Sequence, residues 1–267
     1  MKKPLLYLLL SLLVFSGCKD SFEKVQKSKD FPYKLTKADE YFNRRQWSKA
    51  NTLYEELLSV YKGTRNFENI YYHYCMSFYN DGNYLAASFH FKNFTDLFPK
   101  STRTDECEYL NCLCLYNLSP DYTLDQTNTV KAIGELQAYV NSHPESKKLD
   151  EANQLIDGLR AKLEQKDRYG ADLYYKIGEY KAAAVAFEQI IRKYPDSGVG
   201  DYYQFMVLKS HYTYARYSIP EKQQERFTMV QEDFADFIQK FPKSSYRNEA
   251  ERINTLSLAS LKKLASK

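Results

Sequence analysis

Ala183-Ala-Val-Ala-Phe-Glu-Gln-Ile-Ile-Arg-Lys-Tyr-Pro-Asp-Ser197 is the stretch from which the fold can be read. A small residue stands at Ala183, an aromatic four later at Phe187, and Pro195 eight after that. The same spacing returns at Ala50, Tyr54 and Lys62, at Ala87, Phe91 and Pro99, at Ala132, Leu136 and Pro144, and at Val230, Phe234 and Pro242. Each series ends in a stop phrase: Phe98-Pro99-Lys100-Ser101, His143-Pro144-Glu145-Ser146, Tyr194-Pro195-Asp196-Ser197 and Phe241-Pro242-Lys243-Ser244, with Tyr61-Lys62-Gly63-Thr64 as a fifth that lacks the proline. Residues at i and i+4 share one face of a helix. The small one lets a partner helix come close and the large one fills the groove beside it. Proline then ends the helix, and Ser or Thr is placed to cap the next.

Working outward, a first helix precedes each of these. Twenty-four residues before the stop position stand Ala38, Cys75 and Ala171, and three further on Tyr41, Phe78 and Tyr174. The turns inside the pairs align too, as Arg45-Gln46-Trp47, Gly82-Asn83-Tyr84 and Gly178-Glu179-Tyr180. In the third and fifth repeats this register fails at Ser119-Pro120-Asp121 and Ser218-Ile219-Pro220, which predict longer inner loops. Tyr109 to Asn117 still echoes Tyr72 to Asn80, so the third repeat keeps a first helix. Thr102 with Asp105 reads as a capping-box-like helix start. Lys147 to Lys176 predicts one long helix, and Asn248 to Ala265 a final capping helix. The small–aromatic–proline spacing resembles the tetratricopeptide repeat, although its stop positions recur at intervals of 37, 45, 51 and 47, against about 34 in that family. The resemblance implies an all-α superhelix of about five helix pairs plus the capping helix.

The amino terminus reads separately. Lys2 and Lys3 precede an apolar run from Leu5 to Phe15 broken only by Ser11. That is too short to span a bilayer, which takes roughly 20 residues, and it fits a secretory signal. Val14-Phe15-Ser16-Gly17-Cys18 resembles the bacterial lipobox, with Phe15 where leucine is usual. The resemblance implies cleavage after residue 17, acylation of Cys18 and stable anchoring by several acyl chains. The alternative is an ordinary signal peptide followed by a buried cysteine. Lys19 after the cysteine favours the outer membrane, and Lys19-Asp20 weakly resembles surface-export signals. The expected organisation is a signal at 1–17, a lipidated flexible tether at 18–30, and a repeat domain at 31–267, divisible at 145/146.

Composition excludes several classes. Nine glycines and eight prolines rule out a collagenous or loop-rich chain and leave little for phosphate-cradling loops. The net charge of +4 falls to +2 without Lys2 and Lys3, too weak to argue for nucleic acid. The four histidines, His73, His90, His143 and His211, are scattered, and no nucleophile motif appears. An enzyme, a metal site and a cofactor therefore have little support.

A lipobox, a short tether, five long-period repeats and a long helix before the fourth pair together resemble the BamD family of outer-membrane lipoproteins. Arg168 to Ser197 is the nearest echo, and the resemblance covers roughly residues 30 to 260. It implies a non-enzymatic scaffold of the β-barrel assembly machinery at the periplasmic face, binding periplasmic domains of BamA, other subunits of that machinery, and unfolded outer-membrane proteins. The rival is a periplasmic scaffold lipoprotein of Tol–Pal type, which a coiled coil before the repeats would favour; none is present in the sequence.

The 25 tyrosines crowd the expected first helices, as at Tyr71, Tyr72, Tyr74, Tyr79, Tyr202, Tyr203, Tyr212, Tyr214 and Tyr217. They read either as repeat packing or as an amphipathic groove, since tyrosine offers apolar area with a polar tip. In the family the first repeats engage clients and the later ones dock BamA. That resemblance makes Tyr41, Arg44, Arg45, Tyr72 and Asn80 candidates for client binding, and Tyr202, Tyr203, Arg216 and Arg226 candidates for partner binding. Cys75, Cys107, Cys112 and Cys114 read as free core thiols, with a disulfide or a metal cluster as alternatives.

Overall fold

The computed structural model describes residues 21–266. Among them it contains twelve α-helices and no strand: α1 (Phe22–Lys27), α2 (Phe31–Asn43), α3 (Trp47–Tyr61), α4 (Phe67–Asn80), α5 (Tyr84–Leu97), α6 (Thr104–Asn117), α7 (Thr127–Ser142), α8 (Leu149–Lys176), α9 (Tyr180–Lys193), α10 (Gly200–Arg216), α11 (Pro220–Lys240) and α12 (Arg247–Ala265). The leader, Cys18, Lys19 and Asp20 lie outside the described residues.

Two compact units divide the chain. One comprises residues up to 119 with 127–155, the other 120–126 with 156 onward. The division falls inside the 28-residue α8, not at the expected 145/146.

The first unit holds the pairs α2/α3, α4/α5 and α6/α7. Ala50, Ala87 and Ala132 are fully buried, as are Tyr54, Phe91 and Leu136 four residues on. Ala38, Cys75 and Cys112, the small residues of the first helices, are buried as well. The second unit holds the later part of α8 with α9, the pair α10/α11, and α12. Ala171, Ala183, Phe187 and Val230 are core residues there. Phe234 is only partly buried and packs against that core, and Phe237, one turn later, is fully buried in its place.

The inner turns of the first, second and fourth repeats share one backbone feature. Arg45, Gly82 and Gly178 all have positive φ, at 57°, 78° and 91°. Glycine adopts this conformation without cost, and a side chain there is strained.

Three expectations need correction. The stretch 21–30 is not a flexible tether. Ser21 caps α1 by accepting from the Lys24 N–H, Val25 is fully buried, and Phe22 meets Tyr41 edge-on with centroids 5.7 Å apart. The fifth repeat has no long inner loop, because Pro220 is the first residue of α11; its extra residues lengthen α10 and α11 to 17 and 21 residues. Proline is pre-set for that position, so it starts a helix there instead of breaking one. Thr102 caps nothing: α6 begins at Thr104 without a side-chain cap, and Ser101 accepts from the Arg103 N–H instead. The third repeat does carry the longer loop, between α6 and α7.

Candidate binding surface

The first helices carry tyrosines whose rings sit between an arginine and a carboxylate. In the first unit, the Tyr72 hydroxyl of α4 donates to Glu106 Oε1 at 3.1 Å, and the Arg103 guanidinium lies 4.4 Å from the ring centre. In the second unit, the Tyr202 hydroxyl of α10 donates to Asp172 Oδ1 at 2.5 Å, and the Arg168 guanidinium lies 4.8 Å from its ring. Arg168 also pairs with Asp172 at 3.5 Å. Burial together with the neighbouring carboxylate pushes both hydroxyls well above the usual tyrosine range. Each ring is half-buried, so it offers an apolar edge beside a guanidinium and a carboxylate. Such a surface can take both the apolar side chains and the polar backbone of an extended peptide.

The client-binding candidates fall as follows. Tyr41 is partly covered by Phe22 of α1, with the Lys49 ammonium 5.5 Å from its ring. Arg44 is exposed and only loosely paired with Glu40, at 3.7 Å. Arg45 is exposed in the strained turn position that its counterparts give to glycine. Asn80 is exposed as the last residue of α4.

The partner-binding candidates are more mixed. Tyr203 is a core residue, 1% exposed, with its hydroxyl donating to Glu164 at 2.7 Å. Arg226 stacks 4.0 Å over Tyr214 and donates to the Ser218 hydroxyl, bracing the start of α11. Arg216 is exposed between Tyr212 and Tyr217. Of this group, Arg216 is exposed, Tyr202 and Arg226 are half-buried, and Tyr203 is core.

The sequence reading missed the guanidinium and carboxylate partners Arg103, Glu106, Arg168 and Asp172, because their tyrosines are 30 or more residues away in sequence. It also missed exposed apolar residues at the end of α8, Tyr169 and Leu173 at i and i+4, with Ile177 just past the last residue of the helix. That period was present in the sequence. A second exposed pair, Leu85 and Phe89, lies on α5.

Cys75, Cys107, Cys112 and Cys114 are free and buried. Burial pushes the Cys107, Cys112 and Cys114 thiols up to about 12, and Cys75 well above its ordinary range. Thiols so held are packing residues and not nucleophiles. Among the described residues, no group of His, Cys, Asp and Glu is arranged to hold a metal ion. No described helix is long and apolar enough to cross a membrane.

Among solved structures, the chain is similar to the TPR2AB-domain:pHSP90 complex of yeast Sti1. That likeness has a TM-score of 0.39 at 11% identity, covering 86% of this chain and 98% of that one. No curated protein matches the chain. The profile of the family described as YfiO, outer membrane lipoprotein, matches residues 29–199 and 171–264, which takes in every helix pair described above. The chain belongs to the YfiO family of outer membrane lipoproteins.

Proposed function

We propose that this outer membrane lipoprotein is a scaffold subunit of the β-barrel assembly machinery, anchored through acylated Cys18 at the periplasmic face. In this reading it binds periplasmic domains of BamA and unfolded outer-membrane chains and catalyses nothing. The observation that carries the proposal is the family match across the whole set of helix pairs. The tyrosine–arginine–carboxylate surfaces support it, because extended chains and folded partners are both held by such mixed surfaces. We assign client binding to Arg44, Arg45, Tyr72 and Asn80, with Tyr41 beside them. The exposed arginines would meet a client's terminal carboxylate, and Tyr72 its aromatic or apolar side chains. Partner docking falls to Tyr202 and Arg216, while Tyr203 and Arg226 hold that surface in shape.

The test is affinity purification of the full chain from detergent-solubilised envelope. BamA is expected to copurify. A copurifying set of peptidoglycan-linked envelope proteins without BamA would move the assignment to the Tol–Pal type. For the client site, a peptide copying a barrel's last strand should lose affinity for a Tyr72→Ala, Arg44→Ala variant. Unchanged affinity would remove those residues from the site.

A further inference from the structure

Helix α1 is the first described element after the proposed acylation site, and it is built into the first unit. Its inward face carries Phe22, Val25 and Gln26. Val25 is fully buried, and the Gln26 amide donates to Glu56 Oε1 at 3.2 Å. The Lys34 ammonium of α2, itself buried, donates to the Gln26 carbonyl at 2.7 Å and to Glu56 Oε2 at 2.6 Å. One buried ammonium thus ties the end of α1 to both α2 and α3.

This docking shortens the tether. A free segment of about 12 residues would let the repeats float up to roughly 40 Å from the anchor. With α1 docked, only the three steps from Cys18 to Ser21 remain, a reach of about 10 Å. That is close to the Debye length at physiological ionic strength, roughly 8 Å. The amino end of α1 therefore stays within about one Debye length of the lipid surface, close enough for its charges to feel the field of that surface.

The outward face of α1 fits such a surface. Lys24 and Lys27 are both exposed: Lys27 points away from Val25, Lys24 lies about 100° round the helix from it, and Lys29 follows, also exposed. Lys24, Lys27, Ser28 and Tyr33 line a hollow open to solvent. Phe31, at the start of α2, is 37% exposed, with the Lys34 ammonium 6.0 Å from its ring. The nearby acids are Glu23, exposed on the outward face of α1 one turn before Lys27, and Asp30, whose carboxylate is turned back to accept from the Tyr33 N–H at 3.0 Å.

We infer that this end of the first unit is a membrane-contact site: Lys24, Lys27 and Lys29 bind the anionic phosphate headgroups of the lipid layer that holds Cys18, and Phe31 enters the headgroup zone. The site rests on the lipoprotein reading, and it adds a second, electrostatic attachment to the acyl chains. It fixes the first repeat at the membrane surface instead of leaving it on a leash.

The experiment takes the mature acylated chain, purified from membranes and reconstituted into vesicles of phosphatidylcholine alone or with phosphatidylglycerol. Lysine acetylation is followed residue by residue by mass spectrometry, with exposed Lys131 and Lys243 as controls. On phosphatidylglycerol vesicles, Lys24, Lys27 and Lys29 should be acetylated severalfold more slowly than on neutral ones, raised salt should abolish the difference, and the controls should not change. Equal rates on both vesicles would overturn the headgroup site, and so would equal protection on both, which is simple shielding by the bilayer. The same spectra report the mass of the Cys18 peptide. An unmodified Cys18 would refute the anchor itself, so the two failures are told apart. In a second arm, an unacylated chain starting at Lys19 is sedimented with phosphatidylglycerol vesicles. A lysine near an anionic surface contributes about fivefold in binding, so a Lys24→Gln, Lys27→Gln, Lys29→Gln variant should bind roughly 100-fold more weakly. Binding equal to the unsubstituted chain, at an unchanged melting temperature, would overturn the proposal.

Discussion

The Ser101 hydroxyl donates to Glu68 Oε1 at 2.6 Å, joining the stop phrase of the second pair to the first turn of that pair's opening helix. The device recurs. Ser197 donates to Glu164 at 2.5 Å, Ser244 to Asp201 at 2.7 Å, and Ser146 to Asp105 at 3.4 Å. Each of these serines also accepts the N–H two residues on, from Arg103, Val199, Tyr246 and Lys148 respectively. The serine thus closes each pair on itself and turns the chain toward the next. Thr64, in the phrase without proline, donates to the Tyr61 carbonyl and reaches no acid.

Removing the clamp should show its worth. Ser101→Ala is expected to cost about 1–2 kcal/mol, because the Arg103 N–H loses its acceptor and Glu68 a donor. A double-mutant cycle with Glu68→Ala should return a coupling of roughly 1 kcal/mol. Thr64→Ala should cost less than half as much. Urea denaturation of the four variants, the double included, checks this; no coupling between Ser101 and Glu68 would reduce the clamp to a local turn.

The alanine spacing makes a steric prediction. Ala183 is fully buried between helices of the second unit, in the register shared with Ala50 and Ala87. Ala183→Leu should overpack it and cost about 1–3 kcal/mol. The melting temperature reports the outcome directly.

Arg45 stands at φ 57°, where Gly82 and Gly178 stand at 78° and 91°. Arg45→Gly should stabilise the chain by up to about 1 kcal/mol, as relief of strain outweighs the added freedom of the unfolded glycine. Gly178→Ala should destabilise it by a similar amount. If Arg45 holds a client, the stabler variant will also bind a barrel-strand peptide more weakly. A gain in stability with unchanged affinity would leave the arginine without a binding role.

His211 Nδ1 donates to Asp233 Oδ2 at 2.7 Å, and the residue is 8% exposed. Burial disfavours the charged ring, but the Asp233 hydrogen bond and charge outweigh it and raise the pKa above its ordinary value of 6.5. The folded state therefore favours the imidazolium. The stabilisation from this pair is fully present below pH 6.5 and is lost as pH rises through the raised value. His90 runs the other way: burial lowers its pKa, so its contribution is present above 6.5 and is lost as pH falls through the lowered value. Urea midpoints followed upward from pH 6.5, where the His90 contribution is fully present, should fall in the unsubstituted chain and fall less in His211→Gln. Parallel curves would exclude the pair.

Glu56 is the acceptor that lets Lys34 be buried. Glu56→Ala should cost about 1–3 kcal/mol, less than a fully enclosed pair, because the carboxylate is partly exposed. The loss should be local: hydrogen exchange of the α1 amides should accelerate before the rest of the first unit changes. Uniform acceleration across the unit would mean that α1 is part of its core.

The sequence by itself determined the helix pairs. Ala50, Ala87, Ala132, Ala183 and Val230 are all fully buried where a twelve-residue count back from the stop position put them. Such positions are legible because helix geometry ties i to i+4 and because proline and glycine mark ends, all within a span that one pair encloses. Phe234 shows the limit of that reading, since the lengthened α11 shifts the buried ring to Phe237. The binding residues were only half legible. Tyr72 and Tyr202 could be picked out by type, but Arg103, Glu106, Arg168 and Asp172 come from neighbouring repeats. Tyr203 looked the same as Tyr202 and proved to be core, because adjacent residues on a helix point about 100° apart. Tertiary structure alone decided the fate of residues 21–30. Their composition is that of a tether, and a six-residue helix has little stability of its own. Burial of Val25 and the Lys34–Gln26–Glu56 bonds, made by residues of α2 and α3, turn that segment into part of the first repeat.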